Sequence, residues 1–187
     1  MFPPAGGYQN CKPGESDNMQ FRKATLGDID SMERLIMQAK ASLKRAGVDQ
    51  WQGVYPDRST CEQDVSKGEA YVLELDGAVA GMATLSFEKE AGYEHIEGAG
   101  WRGGGLYAVI HRMAVGDGVK RMGLASRMIG EIEKICAARG VYIIRTDTHK
   151  YNKPMNAALV KNGFVYRGII HMEYDNSERA AFDKALE

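Results

Sequence analysis

The stretch AVGDGVKRMGLASRM, residues 114–128, decides how the rest of the chain is read. A short apolar strand runs into a loop carrying Gly116, Gly118 and Gly123, and the loop opens straight into an amphipathic helix. Glycines in a loop cost backbone entropy, so such a loop has a use for the main chain that it leaves open. Strand, loop and helix in this order aim several backbone N–H groups at one point, beside the positive end of the helix dipole. That is a ready site for a phosphate or diphosphate. Gly123 lets a ligand approach the main chain and Ala125 adds little bulk. Lys120 and Arg121 bring positive charge, and Ser126 offers a hydroxyl in the first helical turn. A charged hydrogen bond contributes roughly 1.5–3 kcal/mol, so three or four anchor a doubly charged group. The loop lacks GxxxxGK[ST] and does not space its glycines as GxGxxG, so neither common nucleotide fingerprint applies. Taken alone, it also fits an ordinary strand–helix connection.

Upstream, LYAVIHRMAV (106–115) is apolar on both faces apart from His111 and Arg112, which predicts a central strand covered on both sides. Downstream, Leu124, Met128, Ile132, Ile135 and Cys136 fall on one helical face that ends at Gly140, with Cys136 a small apolar residue of that face. VYIIRTDT (141–148) reads as a strand, Asn152 as the cap of a helix with Pro154 in its first turn and Gly163 at its end, and FVYRGIIHMEY (164–174) as the final strand or strand pair. Nearer the start, Thr25 and Asp28 have capping-box spacing before Ile29, Met32, Ile36, Ala39 and Leu43, and Gly47 stops that helix. A second helix is expected from Arg58 to Lys67, entered through Tyr55-Pro56-Asp57 and closed by Gly68. Asp76-Gly77 between two apolar runs predicts a tight hairpin. The segment 88–105, EKEAGYEHIEGAGWRGGG, is too rich in glycine and polar residues for a regular element. The order βααβββαβαβ describes an α/β (α+β) sandwich on a mixed sheet.

The 187 residues suit one domain over 19–187, with residues 1–18, rich in Pro, Gly and polar groups, as a flexible N-terminal extension. Lys and Arg (24) nearly cancel Asp and Glu (25), so neither a nucleic acid nor an anionic membrane is the expected partner. Cys11, Cys61 and Cys136 are odd in number and lack metal-ligand spacing, so no metal site is expected and a reducing compartment is. The start lacks the apolar run of a signal peptide and no stretch approaches a membrane span, which predicts a cytoplasmic location.

VKRMGLAS (119–126) resembles the pyrophosphate loop of the GCN5-related N-acetyltransferases, Gln/Arg-x-x-Gly-x-Gly/Ala, with Lys120, Gly123 and Ala125 at the first, fourth and sixth positions. Lys at the first position departs from the pattern but keeps a donor and a charge. IHRMAV (110–115) is similar to the family's fourth strand, and NKPMNAALVKNGF (152–164) to its Asn-containing helix ending in Lys-x-Gly-Phe. Element order agrees from Phe21 to Tyr174. The resemblance implies a mainly antiparallel mixed sheet with splayed central strands, helices on both faces, and acetyl-CoA as acyl donor. It further implies that Met113 and Val115, with Ala114 between them, offer main-chain groups to the pantetheine arm. Residues Lys120, Arg121, Met122, Gly123, Leu124, Ala125 and Ser126 would hold the pyrophosphate, with Asn152 on the arm and Lys161 near the cofactor. The expected activity is transfer of an acetyl group to a primary amine of a small or amino-acid-like acceptor by direct attack in a ternary complex, with a homodimer left open. A non-catalytic acyl-CoA sensor is the alternative.

Such transfer needs a neutral amine, a polarised carbonyl and a proton for the departing thiolate. His111, on the strand that meets the thioester, is either a base or a histidine bonded within the sheet. Glu88 is a second candidate base or a solvated loop carboxylate. Many family members place a Tyr in the last helix as the acid, and Leu159 holds that position here. Trp51, Gln52 and Tyr55 between the first two helices read as an acceptor wall or as lids on the core, and Trp101 as a closing segment or part of a disordered loop.

Overall fold

The computed structural model describes residues 18–172 and 177–187. The expected extension therefore falls, but for Asn18, outside the described residues. Eight strands form one sheet: β1 Met19–Lys23, β2 Ala70–Leu75, β3 Ala78–Ser86, β4 Glu97–Gly98, β5 Ala108–Val115, β6 Ile143–Thr148, β7 Val165–His171 and β8 Glu178–Ala185, in the order β1-β2-β3-β5-β6-β8-β7-β4. The helices are α1 Ile29–Arg45, α2 Arg58–Ser66, α3 Leu124–Ala138 and α4 Lys153–Lys161. Among the described strands only β5 and β6 pair parallel, as a β–α–β crossover through α3 requires.

Local chemistry explains the element ends. Asp76 (φ 50°) and Gly77 (φ 78°) both take the left-handed conformation that a type I′ hairpin demands. Asp28 reaches back to the Thr25 backbone N–H (2.8 Å), receives the Thr25 hydroxyl (2.9 Å), and is clamped by two Arg22 N–H groups at 2.9 Å. That fixes the entry into α1, whose Ile29, Met32, Leu35 and Ile36 are buried. Asp57 caps α2 by accepting from Thr60 N at 3.0 Å.

The two faces of the sheet have different covers. Tyr71, Leu85, Ile110 and Ile144 pack under Ile129 and Ile132 of α3 and Leu159 of α4. Val72, Met82 and Ala114, which point the other way, pack under α1 and Cys61 of α2. Further along that second face the segment before β5 forms its own cover: Tyr93 and Trp101 stack at 4.9 Å over Val109, Ile170 and Ala181. Trp101 donates its indole N–H to the Tyr93 carbonyl (2.8 Å), and the Arg145 guanidinium lies 4.7 Å from its ring. The glycine-rich segment is thus packed here, and Trp101 belongs to the core rather than to a lid.

Two elements differ from the sequence expectation. The 88–105 segment contributes β4, which pairs with β7 where Gly98 faces Gly168. Both glycines have positive φ, and a Cβ at Gly168 would overlap the Glu97 carbonyl oxygen. More consequentially, the last strand is β8, inserted between β6 and β7. Its sequence, ERAAFDKA, carries two charges that the fold buries, Arg179 and Asp183. Asp183 accepts the Arg102 backbone N–H at 2.7 Å and lies 3.0 Å from Arg167 Nε.

Candidate active site

The sheet splits at its centre. β5 and β6 pair only through Ala108↔Ile144, Val109↔Arg145 and Ile110↔Thr146, although β5 runs on to Val115 and β6 to Thr148. Thr146 Oγ1 donates to the Ile110 carbonyl (2.9 Å) and closes the vertex. Beyond it, β5 is paired with β3 but not with β6, so the β6-side edge of His111–Val115 is open backbone. Against β3, Met82 faces Ala114 but Thr84 faces His111, so two β5 residues oppose Ala83. This bulge centres on Arg112, at φ 49°. It turns His111 and Arg112 toward the α1/α2 face, while Met113 and Val115 pack with Leu124 and Met128 of α3.

The split opens into a cavity of about 620 Å³. At one end stands the loop quoted above. Arg121 (φ 69°) and Gly123 (φ 81°) fold it against the start of α3, where Arg127 N makes the first intrahelical bond, to Gly123 O. The N–H groups of Leu124, Ala125 and Ser126 therefore have no acceptor within the helix. Nothing lies within 4 Å of a Cβ built on Gly123, so the approach to these amides is open. Lys120 ion-pairs with Asp117 and donates to Ser42 Oγ (3.2 Å), tying the loop to α1. Ser126 Oγ accepts from Asn162 Nδ2 at 3.0 Å, which leaves its own proton to give. Lys120, Arg121 and Lys161 line this end. Open amides at a positive helix terminus, flanked by cations, fit a diphosphate.

Of the residues singled out in the sequence, Met113, Ala114, Val115, Lys120, Arg121, Gly123, Leu124, Ala125, Ser126, Asn152 and Lys161 all line the cavity, as do His111, Trp51 and Tyr55. Met122 is exposed and does not. Gln52 also lies off the wall, bonded through Nε2 to the Lys40 and Gln50 carbonyls. Glu88 is exposed and off the cavity as well; the carboxylate beside His111 is Glu90, with Oε2 3.4 Å from Nε2. Burial and the neighbouring Arg112 push the His111 pKa down to about 3, so the imidazole is neutral at physiological pH and not the near-neutral titrating group expected. Asn152 does cap α4, accepting from Met155 N at 3.4 Å, while its amide donates to Thr148 Oγ1 at 3.1 Å. Leu159 is fully buried under α4, so its position faces the core and not the cavity.

Sequence reasoning missed three residues of the wall's far side. Arg112 donates Nε and Nη2 to Asp64 (2.7 and 2.8 Å) and Nη1 to the Tyr55 hydroxyl at 2.7 Å, so it holds that aromatic in place. Gln50, buried, bridges Thr148 and Asn152 at 3.4 and 3.3 Å. Asp147, on β6 just past the vertex, accepts the Tyr93 hydroxyl at 2.8 Å and lies 4.0 Å from Arg179 Nε. Among the described residues no group of three or more acidic, His or Cys side chains is placed to hold a metal ion.

A split sheet, a cradle of amides on one side of the split and a polar chamber on the other define an acyl-group transferase architecture. The chain belongs to the acetyltransferase (GNAT) family, whose model matches residues 35–164. A GNAT-family acetyltransferase from Streptococcus agalactiae is similar in structure, with TM-score 0.83, 30% identity, and 92% of this chain and 98% of that one covered. A putative acetyltransferase from Staphylococcus aureus follows at TM-score 0.66 and 25% identity, covering 89% and 99%. A GNAT-family protein from Listeria monocytogenes, at 22% identity and TM-score 0.68 over 92% and 99%, shares the fold. No curated protein matches the sequence. Among the described residues no helix is long and apolar enough to cross a membrane.

Proposed function

We propose that this acetyltransferase uses acetyl-CoA to acetylate a primary amine of a small-molecule or amino-acid-like acceptor, by direct attack in a ternary complex. The observation that carries this reading is the alignment of the β5–β6 split with the open amides at the start of α3. A diphosphate held by residues Lys120–Ser126 leaves the attached arm to run along the open edge of β5. There the main chain of Met113 and Val115 pairs with it as a further strand would, with Asn152 beside it and Lys161 adding charge. Acetyl-CoA supplies an activated acetyl group; the chain supplies orientation, an apolar wall from Trp51 and Tyr55, and exclusion of water. His111, neutral and half-buried, accepts a hydrogen bond near the reacting centre and carries no charge of its own. Cys61 and Cys136 are buried free thiols whose pKa values burial raises to about 11 and about 12, which suits direct transfer over a covalent cysteine and a reducing, cytoplasmic setting.

Calorimetric titration with acetyl-CoA, CoA and ATP, followed by an amine panel read by thiol release, tests this. Saturable binding of both CoA species, weak binding of ATP and amine-dependent thiol release are expected. Preference for ATP would overturn the donor assignment, and CoA binding with no amine-dependent turnover would leave the sensor reading in its place.

A further inference from the structure

The cavity wall is cationic: Arg112, Lys120, Arg121, Lys161 and Arg179 line it, and Asp147 is the one carboxylate among the described lining residues. The cations at the cradle end answer the phosphates. Asp147 stands apart from them, on the opposite face of the sheet, one residue beyond the Ile110–Thr146 vertex. It shares that face with His111 and Arg112 of β5, across the split. Its environment holds it ready: Tyr93, 2% exposed, fixes Oδ1 through its hydroxyl, and Arg179 lies too far from Oδ2 for a hydrogen bond but near enough to favour its charge.

On the acetyl-transfer reading, on which this inference rests, we propose that Asp147 seats the acceptor's ammonium and takes its proton, with Tyr93 as the positioning residue that orients the carboxylate. One N–H bond of the ammonium breaks and an O–H bond forms on Asp147 Oδ2, freeing the nitrogen lone pair. That lone pair attacks the acetyl carbon, the C–S bond breaks, and a second nitrogen proton passes to the leaving sulfur. Amide and free thiol result, and the proton on Asp147 returns to solvent. Burial raises the Asp147 pKa against the opposing effects of Tyr93 and Arg179, which brings its proton affinity closer to that of an amine. His111 is neutral, and the two other carboxylates near this face are engaged off the cavity wall, Glu90 beside His111 and Asp64 on Arg112, so Asp147 is the carboxylate that the described lining presents to the incoming cation.

The test compares wild type, Asp147→Asn and Tyr93→Phe for kcat/KM on the best amine of the panel and for CoA affinity by calorimetry. Asp147→Asn keeps an acceptor for Tyr93 but has no charge and no base. Its kcat/KM is expected to fall by about 100-fold or more while CoA affinity holds. Tyr93→Phe removes a bond that favours the ionised carboxylate, so the acid limb of its kcat/KM profile moves to higher pH; that limb is absent in Asp147→Asn. An alcohol isostere of the accepted amine should inhibit the wild type at least about tenfold more weakly than the amine binds, which needs no variant. Undiminished kcat/KM in folded Asp147→Asn, an unmoved limb in Tyr93→Phe, or equal affinity for the alcohol overturns the assignment. Wild type that binds no CoA and releases no thiol overturns the acetyl-transfer reading instead, and this inference with it.

Discussion

His111 shows how position and environment separate at the scale of one residue. Its place on β5 brings it to the cavity, as its sequence neighbours suggest, yet the same burial that puts it there depresses its pKa to about 3. A group whose pKa lies that low does not change charge between pH 5 and 8. His111→Ala is therefore expected to lower turnover without changing the shape of the kcat/KM profile above about pH 5, because it deletes a neutral hydrogen-bond acceptor. A pH-rate profile of the folded variant checks this, and loss of a limb near neutrality would restore the base role. Asp147 is the converse case. In RTDT it reads as one polar residue of an alternating strand, and its partner Tyr93 lies 54 residues away. Only the folded sheet brings the two together.

Elements were legible where chemistry is local. Asp76-Gly77, the Thr25–Asp28 pair, the Asn152 cap and the loop before α3 each state their conformation within a few residues, and the structure has each in place. β8 was not legible, because its inward positions include Arg179 and Asp183, which local patterning assigns to a surface. Partners on the 102 and 167 segments make Asp183 tolerable inside, and they are remote in sequence. The entry to α1 carries a pH dependence of its own. Arg22, and then the Thr25 backbone and hydroxyl, hold Asp28 at about 2 against an ordinary 3.8. The folded state thus binds this proton less readily than the unfolded chain. The contribution is complete above about pH 4 and fades as pH falls toward 2; it amounts to about 1–2 kcal/mol. Urea unfolding of wild type and Asp28→Asn at about pH 7 and about pH 2 should show that gap at the higher pH and little at the lower. Equal gaps at both would contradict it.

At the scale of the whole molecule, function comes from an interruption in an otherwise continuous sheet. The other six strand pairings among the described residues are antiparallel ladders, but β5 and β6 part after three pairs, and the parting joins the two faces. The α3/α4 side presents amides and cations; the α1/α2 side presents Trp51, Tyr55, His111 and Asp147. This division was only partly legible. The cradle is one contiguous stretch of chain, so its residues reached the cavity nearly as expected, with Met122 the exception. The far chamber draws on α1–α2, the segment before β5, β6 and β8, and no single stretch of sequence encodes it.

The central claim is that the start of α3 grips the diphosphate of CoA through its main chain, and titrating CoA into wild type and Gly123→Val tests it most directly. At φ 81° with open space around it, Gly123 tolerates a side chain at a strain of about 1–2 kcal/mol, leaving the protein folded. The new branched side chain stands between ligand and amides. Saturable one-to-one binding by wild type and at least about tenfold weaker binding by the folded variant are predicted. Equal affinity in both proteins would contradict the account.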